Sequence, residues 1–222
     1  MESYSKMKWK SFFDHWMDHQ LALDEIVTFA RATEAALATT ESTESGYLER
    51  KATPEELDAI FAAPVQNIAR CAAIITVVMV VEQHLKGFAR LIQAYENVLE
   101  SMTDGSVLKE FRIYCLKAAK WAIPALDANW QNLNGLFQLR NCIVHHAQDF
   151  RSFEVSRPSQ ARALLSFIAS HRNDLHVADN FVYLEQSICQ VGVNITRQFL
   201  EKLSHATGLH YSDDYESGPQ SI

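Results

Sequence analysis

The segment from 139 to 146 holds an arginine, an amide and two imidazoles among apolar neighbours, in the order Leu139-Arg140-Asn141-Cys142-Ile143-Val144-His145-His146. On a helix, Asn141 and His145 are four residues apart and share a face. Arg140 lies about 140° of rotation from His145, but its long side chain can swing towards that face. The spacing therefore predicts a guanidinium, an amide and an imidazole along one polar edge of an otherwise buried helix.

These three groups suit cleavage of RNA without a metal ion. The imidazole can deprotonate a ribose 2′-hydroxyl or protonate the leaving 5′-oxygen, because its usual pKa is close to neutral pH. The guanidinium can hold the scissile phosphate through two parallel hydrogen bonds and stabilise its developing charge. Asn141 can orient the imidazole or hold the phosphate, and a second imidazole is needed from His146 or from a two-fold-related subunit.

A structural interpretation of the same residues stays open at this point. An Arg-Asn pair at a helix turn can satisfy backbone groups, and a histidine beside apolar residues is often a hydrogen-bonded core side chain. Patterns of six residues also recur by chance.

The stretch from Arg140 to Arg172 is basic in a chain whose net charge is −7. It contains five arginines, no lysine and two acids, which gives a net charge of +3. We expect Arg151, Arg157, Arg162 and Arg172 to contact RNA phosphates. The alternative is that these arginines pair with acids from elsewhere in the chain.

Apolar spacing of three and four residues predicts a mostly helical chain. The predicted helices cover residues 4–38, 54–63, 65–102, 107–122, 125–146 and 183–207, with a loop at 39–53 and a frayed acidic tail at 212–222. Residues 74–78 are all β-branched, which is typical of a strand. The apolar helical spacing nevertheless continues beyond them without a turn signal, which favours helix. Residues 147–182 are predicted to be irregular, with a short strand pair around Phe167 and Phe181. The predicted architecture is an all-α bundle in one domain, 1–222, with an irregular insertion before the last helix.

Composition excludes several other classes of protein. Only 7 glycines and 5 prolines argue against sandwiches and barrels, and no glycine-rich nucleotide-binding motif is present. We expect neither a signal peptide nor a membrane span, since the longest apolar stretch, 71–81, makes about 16 Å of helix. The expected location is the cytoplasm, with four reduced and mostly buried cysteines.

His15 and His19 have a spacing that can bind a metal ion, but no cysteine or carboxylate completes a site at matching spacing. An exposed polar face is the favoured interpretation. We therefore expect no metal and no cofactor.

The pattern Arg140-Asn141-x-x-x-His145, at the end of an apolar helical run in an all-α chain, resembles the R-x4-6-H signature of HEPN domains (higher eukaryotic and prokaryotic nucleotide-binding). The resemblance covers about 65–207, and its specific residues lie at 139–146. A polar residue directly after the arginine is the commoner form in ribonuclease members. Ala147 departs from the R-x4-H-x-Y form of the nucleotidyltransferase-paired toxins.

The resemblance implies a homodimer in which both Arg-His pairs meet in a cleft. It implies metal-independent cleavage that leaves a 2′,3′-cyclic phosphate, with Arg140 and His145 catalytic and Asn141 supporting. It also implies a toxin or phage-defence role, with an antitoxin or defence-system partner protein. His146, about 100° further round the helix, is added from its position and not from the family. Some HEPN-like domains are instead inactive modules that bind RNA, nucleotide or a protein, and this alternative stays open.

Overall fold

The computed structural model describes residues 14–36, 63–96, 107–117 and 127–206. Its helices are α1 (14–36), α2 (Ala63–Glu96), α3 (Val107–Lys117), α4 (Ala128–His146), α5 (Phe150–Ser156), α6 (Pro158–Ser170) and α7 (Ile188–Ala206), and strands β1 (Leu175–Ala178) and β2 (Phe181–Leu184) precede α7. The prediction of a predominantly helical chain is therefore confirmed. The predicted loop at 39–53, the helix at 54–62, and the tail at 212–222 lie outside the described residues.

Helix α2 is continuous through the β-branched run at 74–78, so helix is confirmed there over strand. Over Gln66–Gln93 it has the length and mean hydropathy, 1.6, of a membrane-spanning segment. Many of its apolar side chains are nevertheless fully buried against neighbouring helices, as at Ile74, Val77 and Leu85, whereas Ile68 and Met79 are exposed. This packing accounts for α2 as the central helix of a hydrophobic core.

Helices α1, α4 and α7 surround α2. Contacts from His15 to His84 and from Glu34 to Arg70 show that α1 runs antiparallel to α2. Where α2, α4 and α7 meet, Gly192 leaves room for two side chains from the other helices, and a Cβ there would lie 3.3 Å from Ile74 and 3.4 Å from Leu136.

The prediction that residues 147–182 are irregular was wrong. Asp149 caps α5 by accepting a hydrogen bond from the Ser152 backbone, and Pro158 opens α6. The two helices bury Phe150, Phe153, Ala161, Leu164 and Phe167. Phe167, around which a strand was expected, therefore lies in a helix. Ala161, Leu164 and Phe167 are three residues apart and so form one buried helical face.

A β-hairpin follows α6, so the strand expected around Phe181 is confirmed. Its antiparallel register pairs Leu175 with Leu184 and Ala178 with Phe181. Asp179 and Asn180 form the two-residue turn, with φ of 49° and 69°. Left-handed values at both positions are typical of a type I′ turn, which asparagine and aspartate tolerate. Leu184 therefore belongs to β2 and not to the last helix, which begins at Ile188.

The four cysteines, Cys71, Cys115, Cys142 and Cys189, are free and buried, as expected from the sequence. Burial raises the pKa of Cys71 to about 11 and that of Cys115 to about 12. Neutral thiols in such surroundings serve as small apolar packing groups.

Candidate functional site

Helix α4 carries the Arg-Asn-His segment, and its buried face anchors it in the core. The Asp127 carboxylate caps its first turn by accepting a hydrogen bond from the Trp130 backbone at 3.0 Å. Gly135 lets α6 approach closely, since a Cβ there would lie 2.5 Å from the Cβ of Phe167. The buried residues of α4 are Trp130, Leu133, Gly135, Leu136, Phe137, Leu139 and Cys142.

The opposite face of α4 is a polar stripe that ends at His145. It consists of residues at three- and four-residue steps, Gln131, Asn134, Gln138, Asn141 and His145. Amide hydrogen bonds run along it: Gln138 donates to Asn134 at 3.0 Å, and Asn141 donates to Gln138 at 3.3 Å. The stripe is therefore pre-ordered up to Asn141, one turn before the imidazole.

The Arg140 guanidinium is half-buried beside this stripe. Its Nη1 donates to the Asn141 side-chain oxygen at 3.1 Å. Its Nε is buried and has no hydrogen-bond partner among the described residues. A buried N–H without a partner is costly, so the hydrogen bonding of this guanidinium is incomplete among the described residues.

The two adjacent histidines have different surroundings. His145 is exposed, and no described residue hydrogen-bonds its ring. His146 is half-buried: its ring nitrogens lie 3.2 Å from the Ser152 hydroxyl and 3.4 Å from the Ser156 hydroxyl, and its ring packs edge-on against Phe153. His145 is thus available to a ligand, whereas His146 joins the end of α4 to α5.

The turn after His146 fixes the direction in which the end of α4 points. Ala147 and Gln148 have φ of 49° and 67°, and the Gln148 N–H closes the helix by donating to the Cys142 carbonyl at 3.2 Å. The Gln148 side chain donates to the Val182 carbonyl at 2.7 Å and accepts from Asn67 at 3.0 Å. Strand β2 and helix α2 therefore hold two consecutive left-handed residues in place.

Helix α6 runs antiparallel along α4, as two contacts establish. Phe167 of α6 touches Gly135, and Ser156, the last residue of α5, touches His146 at the other end of α4. On each helix five residues, about 7.5 Å, separate the Phe167–Gly135 contact from Arg162 and Arg140. This register places the backbone of Arg162 level with that of Arg140.

The predicted RNA-binding arginines therefore do not form one cluster. Arg157 starts α6 near the end of α4 and donates to Gln160 at 3.4 Å, and Arg162 lies midway along the pair. Arg151 lies on α5, and Arg172 lies beyond the far end of α6, about 15 Å along the helix pair from Arg162. The four side chains are exposed, and none forms an ion pair with a described acid.

Two cavities lie away from the Arg-His segment. One of about 470 Å³ lies between α1, α2 and the start of α7, beside the Glu34–Arg70 ion pair. A polar cleft of about 400 Å³ lies at the other end of α4, where Asn134 of the polar stripe faces Ser166 of α6. Neither of these two cavities is lined by a residue of the catalytic set predicted from the sequence.

One cluster was not predicted from the sequence. His15 and His19 are half-buried and face His84 of α2, so the expected exposed polar face holds for Asp14 and Asp18 but not for the two histidines. The spacing of His15 and His19 was the signal, but His84 is 65 residues from His19 and only the fold joins them.

Comparison of the chain with family models, with curated proteins and with solved structures finds no match. A functional assignment therefore rests on the residues of this chain and on the resemblance of its Arg-Asn-His segment to the HEPN signature.

Proposed function

We propose that the protein is a cytoplasmic, metal-independent endoribonuclease of the HEPN toxin or defence type. The observation that carries the proposal is the exposed imidazole of His145 on the polar stripe, with the Arg140 guanidinium five residues earlier at the same end of α4. An acid-base group and an anion-binding group at one helix end suit cleavage of a polymeric, anionic substrate.

In the proposed reaction, an imidazole removes the proton of a ribose 2′-hydroxyl. The 2′-oxygen attacks the adjacent phosphorus, the bond to the 5′-oxygen breaks, and an imidazolium protonates that oxygen. The products are a 2′,3′-cyclic phosphate and a free 5′-hydroxyl, and neither a metal ion nor water is consumed. Arg140 binds the phosphate oxygens and stabilises the charge that develops on them.

Asn141 holds the guanidinium in place, because its side-chain oxygen accepts from Arg140 Nη1. The second imidazole of the mechanism is assigned to a symmetry-related His145 in a homodimer. His146 is less suited to that role, because α5 occupies both of its ring nitrogens. Val144, which precedes the imidazole and is 44% exposed, is a suitable contact for a second copy.

The test is RNA cleavage by the purified full chain in EDTA, with product ends identified by mass spectrometry. His145→Ala and Arg140→Ala are each expected to lower the rate about 10²-fold or more. His176→Ala removes another exposed histidine and is the matched control, expected to retain full activity. Cyclic phosphate ends that both site variants abolish would support the proposal, and equal activity in all four proteins would refute it.

An inactive binding module is the second candidate, and one contact favours it. Arg140 already has an internal partner in Asn141, as a structural arginine would. RNA binding by a folded wild-type protein that cleaves no RNA would select this candidate. Loss of binding in Arg140→Ala would then place the binding site at the same end of α4.

A further inference from the structure

Three histidine rings from two helices meet beside the core. His15 and His19 come from α1 and His84 from α2, and the ring centroids lie 4.4 to 4.6 Å apart. One nitrogen of each ring lies within 4.8 Å of the others. Among the described residues, no cysteine or carboxylate joins this triad.

Backbone carbonyls define which nitrogens of the α1 histidines carry hydrogen. His15 Nε2 lies 3.0 Å from the His84 carbonyl oxygen, and His19 Nδ1 lies 2.7 Å from the His15 carbonyl oxygen. Because a carbonyl oxygen only accepts, both of these nitrogens are donors. In the neutral rings this leaves lone pairs on Nδ1 of His15 and Nε2 of His19. Donation of the second ring nitrogen to a carbonyl is the usual support of a metal-binding histidine.

His84 supplies an independent indication of a binding site. Its side chain is only 2% exposed, and its Nδ1 has no hydrogen-bond partner among the described residues. Burial, together with the neighbouring His15 and His19, lowers the pKa of His84 well below its usual value, so the ring is neutral. An unsatisfied buried nitrogen between two half-buried imidazoles is the arrangement that a bound cation would complete.

Gly87, one turn after His84, makes room for the cluster. A Cβ at this position would lie 2.2 Å from Cε1 and 2.7 Å from Nε2 of His15. Glycine is unfavourable inside a helix, so its presence here is explained by the space that the His15 ring occupies.

We propose that His15, His19 and His84 form a binding site for a divalent transition-metal ion, with Zn²⁺ as the preferred ion. Three neutral imidazoles suit zinc, and a fourth, open position would hold water on the half-exposed α1 side. Zinc ligands at about 2.0 to 2.1 Å lie about 3.4 Å from one another, so the rings must approach and the stacked His15 and His84 rings must turn apart. The ion would join α1 to α2.

The proposed metal site is separate from the proposed nuclease site. Gln148, just after the Arg-His segment, touches Asn67 at the start of α2. His84 lies 17 residues further along the same helix, about 25 Å away. Metal binding and RNA cleavage can therefore be tested and can fail independently.

The experiment measures zinc binding to tag-free, full-length protein that has been stripped with EDTA and dialysed. Competition with a chromogenic chelator gives the stoichiometry and affinity, and Co²⁺ substitution gives the visible spectrum of a four-coordinate site. Wild-type protein is expected to bind one Zn²⁺ per chain. His19→Gln, and His84→Phe with its ring packing retained, are expected to bind at least about tenfold more weakly.

Two further variants separate ligand loss from unfolding. Gly87→Ala keeps all three histidines but displaces the His15 ring, so it is expected to weaken zinc binding while circular dichroism stays unchanged. His176→Gln removes a distant exposed histidine and should bind as wild type does. Failure of folded wild-type protein to bind Zn²⁺ or Co²⁺, or unchanged affinity in folded His19→Gln, would overturn the proposal.

Discussion

Arg162 and Arg172 are a matched pair for testing where RNA lies on the protein. Both side chains are exposed, and neither forms an ion pair with a described acid. Arg162 lies level with Arg140 on the neighbouring helix, whereas Arg172 lies beyond the far end of that helix. Substituting each with glutamine removes the same charge at two different distances from the proposed site.

The distance of each arginine from a phosphate held by Arg140 determines how much RNA affinity its substitution should remove. Packed helix axes lie about 8 to 10 Å apart, close to the Debye length of about 8 Å at physiological salt. A phosphate held by Arg140 is therefore within reach of Arg162, and an exposed ion pair is worth up to about 1 kcal/mol, or about fivefold in affinity. Arg172 is ten residues beyond Arg162, about 15 Å along the helix pair and nearly two Debye lengths, so its effect at that phosphate is much smaller.

The length of the RNA distinguishes the expected effects of the two substitutions. With a trinucleotide RNA, we expect Arg162→Gln to bind about fivefold more weakly and Arg172→Gln to bind like its parent. With an RNA of twenty nucleotides, which can reach both arginines, each substitution should lower the slope of log affinity against log salt by about 0.7. Fluorescence anisotropy in the His145→Ala background measures both quantities without cleavage. Equal losses for the two variants on the trinucleotide, or no loss for Arg162→Gln, would refute this placement of the RNA.

Two further predictions concern stability. Gly135→Ala should lower the free energy of unfolding by about 1 to 2 kcal/mol, because overpacking against the Phe167 Cβ outweighs the gain in helix propensity. Gly87→Ala in EDTA should be about neutral, because the gain in helix propensity offsets displacement of the His15 ring from its hydrogen bond. Urea denaturation measures both, and equal effects would contradict the close approach of α6 to α4. Burial raises the pKa of Cys115 from 9.0 to about 12, so the unfolded chain loses this proton first and stability should fall between about pH 9 and 12, by up to about 1.4 kcal/mol per pH unit. The same denaturation series on Cys115→Ala is the control, and a wild-type curve parallel to that of the variant over this range would contradict a buried thiol.

Much of the fold could be predicted from local pattern. Helix α2 and helix α4 are long, and their apolar residues repeat over several turns, so their existence and approximate bounds follow from the sequence. Helix α5 has only seven residues, too few for a clear period, and a single residue separates it from α6. The region 147–182 was therefore predicted as irregular, although Pro158 and the spacing of Ala161, Leu164 and Phe167 indicate a helix.

The local part of the candidate site was also predictable. The polar edge formed by Asn141 and His145 follows from helical geometry alone, because side chains four residues apart share a face. The sequence could not predict that His146 turns towards α5, since its two hydroxyl partners depend on the left-handed turn at Ala147 and Gln148.

Local sequence is sufficient to specify the helical character of the chain and the placement of Arg140, Asn141 and His145 at the end of one helix, because both depend on residues a few positions apart. Which arginines accompany that segment, and the meeting of His84 with His15 and His19, depend instead on the tertiary fold. Those relations depend on how separate helices pack, through contacts such as Gly135 with Phe167 and Gly87 with His15. Packing of this kind brings together residues that are distant in the chain, and no local period of the sequence records it.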